Sequence, residues 1–440
     1  MTMSSAEMQL VRRLCAFVFG LAMLLLLSTI ARADDVTDWN QHMLRAGTVG
    51  GTTPLVMSRV AAIVQASVFD AVNGIARKYA PVHVPPAAAA GASRRAAAVE
   101  AAYTTLVALY PAQKSTFDAR LAVSLTAIAS DSHETSAGIA SGIAWGQTAA
   151  NGILSWRATD GFTPAPPPFL GGTTVGEWRP TPPGFLPGAG PQFAYMTPWV
   201  IGSPSQFRPS GPPALTSARY AADFNETKTM GSISSAVRTA DETIYSWFWA
   251  QSTATYLWNR VADSLIERDD RDEDDDSGRW GERRNSLLES ARVLALLDLA
   301  MADAAIACWE AKYHYVSWRP VTAIPLADAD GNPATISDPS WMPLFATPNH
   351  PEYPSGHSTV SGAAAVVLAS FFGENRHFTM DNDLLIGVTR SYRSFTQALD
   401  EVKNARIFAG IHFRSACEDG QATGTQVANY VLDNALLSVH

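Results

Sequence analysis

Apolar residues recur every three or four positions through most of the chain. The spacing predicts helices over 57–79 (MSRVAAIVQASVFDAVNGIARKY), 93–110, 116–130 and from about 133 to 156 in the first half. In the second half it predicts helices over 238–250, 283–311, 357–373, 396–411 and 419–437. Alternating apolar and polar runs, which a half-buried strand would show, are sparse. The pattern therefore predicts an all-α protein of two packed helical bundles.

One segment interrupts the periodicity. Residues 162–213 hold most of the prolines and many glycines, as in TPAPPPFLGG and RPTPPGFLPGAGP, and cannot be continuous helix. Their aromatics (Phe169, Trp178, Phe185, Phe193, Tyr195 and Trp199) are too many for a disordered linker. An ordered connection is expected, walling the mouth of a site and joining an N-terminal helical region, 34–161, to a C-terminal helical domain, 214–440. A second interruption, ERDDRDEDDDSGRWGERR at 267–284, lacks the alternating ligands and the glycine of a calcium loop, and is expected to be a solvated connection.

The N-terminus carries a different signal. Arg12 and Arg13 precede LCAFVFGLAMLLLLSTI, and Ala31-Arg32-Ala33 has the small-x-small form that signal peptidase accepts. Residues 1–33 are expected to be a cleaved signal peptide, directing the protein to the periplasm or beyond. As a membrane anchor, a run of about 17 residues is near the lower limit for spanning a bilayer. No later stretch reads as long and apolar enough, so no stable membrane anchor is expected after cleavage.

Composition adds two exclusions. With 47% hydrophobic and 17% charged residues over 440 positions, the chain has the profile of a globular protein with a sizeable core. Its net charge of −9 argues against nucleic acid as a partner, which would need a basic surface. Cys15 leaves with the signal; Cys308 and Cys417 lack metal-site spacing and are expected as buried free thiols rather than a bridge.

The chemistry gathers in the last third. KYHYVSWRP at 312–320 supplies Lys312 and Arg319, HPEYPSGH supplies His350, Ser355, Gly356 and His357, and ARIFAGIHFR supplies Arg406 and His412. If these segments converge, three cations, two histidines, a hydroxyl and a free backbone amide share one pocket in the C-terminal bundle. Arg presents paired planar donors and stays charged, and Lys adds a point charge. Gly356 lets the backbone approach an anion where helix amides point outward. One histidine can bond to or attack the central atom while the other handles the proton. Each element alone is weak, since a lone helical histidine is usually just packed; the ordered set is specific.

That ordered set resembles the signature shared by vanadium-dependent haloperoxidases and type-2 phosphatidic acid phosphatases: Lys312, six residues, Arg319-Pro320; Pro354-Ser355-Gly356-His357; Arg406, five residues, His412. FWA at 248–250, WRPVTAIP, HPEYPSGHSTVSGA and RIFAGIHFR look most like the soluble, secreted bacterial haloperoxidases, strongly over about 215–437. The resemblance implies vanadate held by His412 as the axial ligand, with Lys312, Arg319 and Arg406 neutralising its oxygens alongside Ser355 and the Gly356 amide. It implies that His357 is the acid–base group, and that hydrogen peroxide, halide and a small organic molecule are the substrates. Without metal the same residues imply an acid phosphatase working through a phosphohistidine at His412, or an inactive oxyanion-binding protein. A homo-oligomer is left open.

Several positions qualify the resemblance. His350 stands where family bromoperoxidases carry histidine and chloroperoxidases tend to carry an aromatic, which tilts preference towards bromide or iodide; it could equally just pack in the loop. Ala405 replaces a serine found in many members. Ala416 replaces an aspartate that often follows the final histidine, so Glu418, Asp419 or a backbone carbonyl is expected to orient His412. Gln251 and Ser252 stand where fungal chloroperoxidases support the acid–base histidine with an aspartate, so weaker support for His357 is expected. Tyr353 and Trp318 read as pocket walls, Asp303 as a helix-packing acid, and Asp70 with Asn73 as polar groups fixing a helix contact. His314 reads as pointing away from Lys312.

Overall fold

A computed structural model describes residues 34–269 and 287–439. The signal segment, and residues 270–284 of the acidic run, lie outside the described residues. The N-terminal helices are α1 (Asp35–Val49), α2 (Pro54–Ala76), α3 (Arg94–Leu109), α4 (Lys114–Ala129) and α5 (Ser136–Arg157). After the connection come α6 (Ala218–Met230), α7 (Ala240–Gln251), α8 (Ala254–Asp269), α9 (Leu287–Tyr315), α10 (Pro320–Ala323), α11 (Gly356–Phe372), α12 (Phe395–Phe408) and α13 (Arg414–Asn434). A two-stranded antiparallel hairpin, β1 (Phe378–Asp381) with β2 (Thr389–Tyr392), pairs Phe378 with Tyr392.

The fold is all-α in two packed bundles. Helices α2, α3 and α5 pack on one another, α9, α11 and α13 form the second group, and α2 lies along α9 to join them. One apolar core runs through both, from Trp39 and Phe69 to Leu297, Leu368 and Val427. Contrary to the expectation from sequence, α2 is long and apolar enough to cross a membrane, but 89% of its most apolar window is buried inside the protein. Its all-round hydrophobicity reflects a central position between α3, α5 and α9.

Close packing at the second bundle depends on glycine. A Cβ at Gly424 of α13 would lie 2.0 Å from the Thr359 carbonyl oxygen of α11, so the two backbones can approach only because it has none. The small residues GAAA after His357 serve the same approach, which holds the start of α11 against α13.

The proline-rich connection is pinned by a buried acid. Asp303, in the middle of α9, accepts the amides of Trp199 (2.7 Å), Val200 (2.8 Å) and Ile201 (3.0 Å). It therefore packs the connection rather than the helix pair expected of it. Asp70 of α2 does the same for the loop after its helix, accepting from Val82, His83 and Val84 at 2.7, 2.9 and 2.8 Å. Asn73 adds a bond to the Tyr79 carbonyl at 2.7 Å.

Candidate functional site: an oxyanion pocket in the second bundle

Three pieces of backbone bring the site together. Ser355 caps α11, its hydroxyl accepting from Ser358 N, and the first bond inside that helix runs from Thr359 N to Ser355 O at 3.0 Å. The Gly356 and His357 amides precede that bond and point out of the helix start. Arg406 stands in the last turn of α12, where a cation suits the helix dipole, and His412 sits in the short loop before α13. Pro320 at the first turn of α10 stops the preceding segment and leaves Arg319 as its cap residue.

These residues meet as the sequence expects. Arg319 links the two histidines: it donates from Nη2 to His350 Nδ1 at 2.9 Å and from Nη1 to His412 Nε2 at 3.1 Å. It also donates to the His350 and Ile411 carbonyls, at 2.8 and 2.7 Å. Since guanidinium only donates, His412 Nε2 must be an acceptor, which places the ring proton on Nδ1. That proton goes to Glu352 Oε1 at 2.8 Å, and the same oxygen accepts from Phe413 N at 3.0 Å.

Glu352 is therefore the acid that orients His412. The sequence pointed to Glu418, Asp419 or a carbonyl instead. Glu418 and Asp419 turn outward, where Arg219 lies 3.5 and 3.8 Å from them, and Asp419 accepts from the Tyr353 hydroxyl at 2.7 Å. Glu352, at 1% exposure, comes from 60 positions upstream, in the loop that carries Ser355.

Lys312 has a different role from the one its charge suggests. Its ammonium donates to the Pro351 and Glu352 carbonyls, each at 2.9 Å, and to that of Pro354, so its three hydrogens hold the loop in shape. Ser355, Lys312 and Arg319 are fully buried behind the residues that line the cavity, among them His350, Gly356, His357, Arg406 and His412, and Arg319 bonds directly to two of these histidines.

His357 is supported by the Trp249 backbone rather than by Gln251 or Ser252. The same carbonyl receives Arg406 Nη1 at 3.5 Å. Two polar atoms at this end have no partner: His357 Nε2 and Arg406 Nε.

The electrostatics follow from burial. Desolvation lowers Lys312 to about 7, Arg319 to about 10 and Arg406 to about 9, and raises the Glu352 carboxyl to about 7, with Arg319 opposing that rise. Burial first, and the neighbouring cations second, hold His350, His357 and His412 well below the ordinary imidazole range, so all three are neutral. Two buried guanidinium cations thus stand beside Lys312 and Glu352, whose opposite charges are both poised near 7. The surplus positive charge, together with unpartnered Arg406 Nε and His357 Nε2, fits an oxyanion with several acceptor oxygens.

Other sequence expectations resolve plainly. Trp318 is buried in a separate cluster with Tyr220, Phe224 and Phe413, and neither it nor Tyr353 lines the cavity. Among the wall residues missed is Trp309, three positions before Lys312; its ring lies 4.9 Å from that of His350. Its helical spacing from Lys312 was the available signal. His314 is exposed and packs on Tyr315, and Cys308 and Cys417 are buried free thiols. The connection does wall the cavity: Ala189, Gly190, Gln192 and Phe193 line it. Trp309 Nε1 and the Tyr313 hydroxyl hold the Ala189 carbonyl at 3.0 and 2.7 Å.

Comparison with known proteins bears on the fold and the family. Residues 292–439 match the family model of the VCPO second helical-bundle domain. The chain is 28% identical over 194 residues to vanadium chloroperoxidase of Curvularia inaequalis, covering 33% of this chain and 31% of that protein. It is 31% identical over 128 residues to the vanadium-dependent bromoperoxidase of Corallina officinalis, covering 26% and 21%. The matches thus span less than a third of the length of these curated relatives. A crystal structure of a bacterial vanadium-dependent iodoperoxidase superposes with a TM-score of 0.76 at 26% identity, covering 92% of this chain and 98% of that one. A bacterial vanadium-dependent chloroperoxidase in its apo form, at 16% identity and a TM-score of 0.66, shares the fold, covering 87% and 95%. The helical architecture, the matched bundle and these relatives together place the chain in the vanadium haloperoxidase superfamily.

Proposed function

We propose that the protein is a vanadate-dependent haloperoxidase that uses hydrogen peroxide to oxidise halide, bromide or iodide ahead of chloride, to a hypohalous halogenating species. One observation carries the reading: a neutral His412, aimed by Glu352 and Arg319, shares a buried pocket with Arg406 Nε and His357 Nε2, neither of which has a partner. His412 Nε2 would hold vanadate, with Arg319 and Arg406 balancing its charge and the Gly356 amide and Ser355 hydroxyl adding donors. Arg319 would then exchange its bond to Nε2 for one to the anion. When bound, vanadate supplies a Lewis-acid centre that activates peroxide towards halide.

The chain's own groups supply the rest. Neutral His357 accepts a proton from incoming peroxide and returns it to the departing oxygen, its ring steadied by the Trp249 carbonyl. A carbonyl holds an imidazolium more weakly than a carboxylate does, which suits the more easily oxidised halides. His350, against Trp309, gives that part of the wall polar character. Of the two bacterial structures compared, the one at 26% identity is an iodoperoxidase, which supports the same preference, and the one at 16% is a chloroperoxidase. Residues 1–33 support placing the reaction in the periplasm or outside the cell.

The test is a paired assay on purified protein: bromide-dependent halogenation with peroxide after vanadate loading, against phosphomonoester hydrolysis without vanadate. Halogenation is expected. Hydrolysis with no halogenation after loading would sink the proposal in favour of an acid phosphatase using His412 as nucleophile. His412→Ala is expected to abolish either activity, and persistence of activity would remove the site assignment.

A further inference from the structure

A second cleft lies between α1 and α8 and encloses about 370 Å³. Helix α1 supplies Leu44 and Arg45, and α8 supplies Tyr256, Arg260, Asp263 and Glu267. The α8 residues recur at four- and three-residue spacing and so share one face of the helix. The two ends of the cleft differ in charge. Asp263 forms the floor of one end: its Oδ1 accepts from Asn40 Nδ2 at 2.9 Å, whereas its Oδ2 is buried with no partner. Burial holds the Asp263 carboxyl well above its ordinary range, and Glu267, Asp34 and Asp298 add negative charge in the same sense. At the other end Arg260 donates from Nη1 to Asp383 Oδ1 at 2.7 Å and to the Tyr256 hydroxyl at 3.4 Å. Its Nη2 and Nε have no partner among the described residues. Tyr256 first, then Arg260 and Arg45, hold the Asp383 carboxyl below its ordinary range, so Arg45 belongs to this end. Arg45 is exposed at the rim and makes no hydrogen bond or ion pair among the described residues.

A buried carboxyl oxygen without a partner is costly, and an arriving donor removes that cost. An ammonium group does so while holding the acid ionised. The uncommitted guanidinium donors of Arg45 and Arg260 suit a carboxylate in the same way. Asp263 and Glu267 lie three and seven positions beyond Arg260, or roughly 4.5 and 10.5 Å along the helix axis. An α-amino acid, whose charges stand roughly 3 Å apart, is too short to serve both ends. A five-carbon ω-amino acid, at roughly 6 Å, spans them. Its methylenes have Leu44 and the Tyr256 ring to pack against, and the volume lies in the range of small-molecule sites.

We propose that this cleft binds a small zwitterion of the ω-amino acid type, its ammonium between Asp263 and Glu267 and its carboxylate between Arg260 and Arg45. A bound zwitterion ties α1 to α8. The inference does not depend on the haloperoxidase reading, since none of these four residues lines the oxyanion pocket. The same pair of charges occurs in a free ω-amino acid and at the end of a peptide whose last residue is lysine.

Calorimetric titration of the purified protein with 5-aminopentanoate is expected to show saturable binding at one site. Pentanoate and pentylamine each lack one of the two charges and are expected to bind about tenfold more weakly or worse, the scale of one charge-assisted hydrogen bond. Asp263→Asn and Arg45→Gln are expected to weaken 5-aminopentanoate by the same factor, and because Arg45 is exposed, its variant keeps the test open should Asp263→Asn fail to fold. Absence of saturable binding to wild type overturns the proposal. Equal binding of either one-charge control, or wild-type affinity in Arg45→Gln, overturns it as well. A tripeptide ending in lysine separates the two sources: tighter binding than that of 5-aminopentanoate assigns the cleft to peptide ends, weaker binding assigns it to free ω-amino acids, and both uphold the site.

Discussion

His412 is held at its two ring nitrogens by partners of opposite character, an arginine that can only donate and a carboxylate that can only accept when ionised. The pair fixes one tautomer, with the Nε2 lone pair accepting from Arg319. Glu352→Ala should free the ring and weaken vanadate binding by roughly 10- to 100-fold, the usual range for losing a group that orients a metal-binding histidine. Glu352→Gln keeps an acceptor oxygen and should lose less. Equilibrium dialysis against vanadate measures both, and wild-type affinity in the Ala protein would show that the loop backbone alone orients the ring. The main site residues were legible because their order and spacing between 312 and 412 are specific. Glu352 was not, because an orienting acid was sought downstream of His412, whereas chain folding brings it from the loop before Ser355. Nor could spacing show that Lys312 directs its hydrogens to the Pro351, Glu352 and Pro354 carbonyls; a side chain's charge says nothing about which acceptors lie around it.

At the scale of elements, periodicity found the helices with continuous apolar faces. The run at 57–79 became Pro54–Ala76, and 357–373 became Gly356–Phe372. Among the longer helices it missed α1, α6 and α8, whose buried faces include Asn40 in the first, Asp223 and Thr227 in the second and Asn259 and Asp263 in the third, so polar residues interrupt the apolar repeat. The proline-rich connection is ordered not by periodicity but by anchors such as Asp303, which replaces the missing backbone ladder with three amide bonds. Asp303→Ala would leave those amides unpaired at a buried surface and should destabilise the protein by roughly 3 kcal/mol. Urea unfolding measures this. Stability within 0.5 kcal/mol of wild type, on the order of an inert surface change, would refute the anchor role.

Across the whole molecule, a polar seam lies inside an otherwise apolar core where the two bundles meet. Gln65 of α2 donates to Asn40 of α1 at 2.8 Å, and Asn40 donates to Asp263 of α8 at 2.9 Å. Beside them Asn259 of α8 donates to Asp298 of α9 at 2.8 Å. Such groups fix how four helices register but carry a desolvation cost, and it shows in Asp298, whose carboxyl is pushed up to about 8 by burial. The folded pKa lies above the ordinary value of 3.8, so the folded state binds the proton more tightly than the unfolded one. The contribution of Asp298 to stability is therefore fully present below pH ~4 and is lost as pH rises towards 8. Asp298→Asn removes that titration while keeping an acceptor for Asn259. Relative to wild type, the variant should gain stability between pH 4 and pH 8, on the order of 5 kcal/mol. Other buried groups, histidines included, titrate alike in both proteins and cancel in the difference, which is why the comparison isolates this residue. Denaturant unfolding of the two proteins at both pH values measures it, and a difference that stays constant would mean that Asp298 is already ionised in the folded core at pH 4.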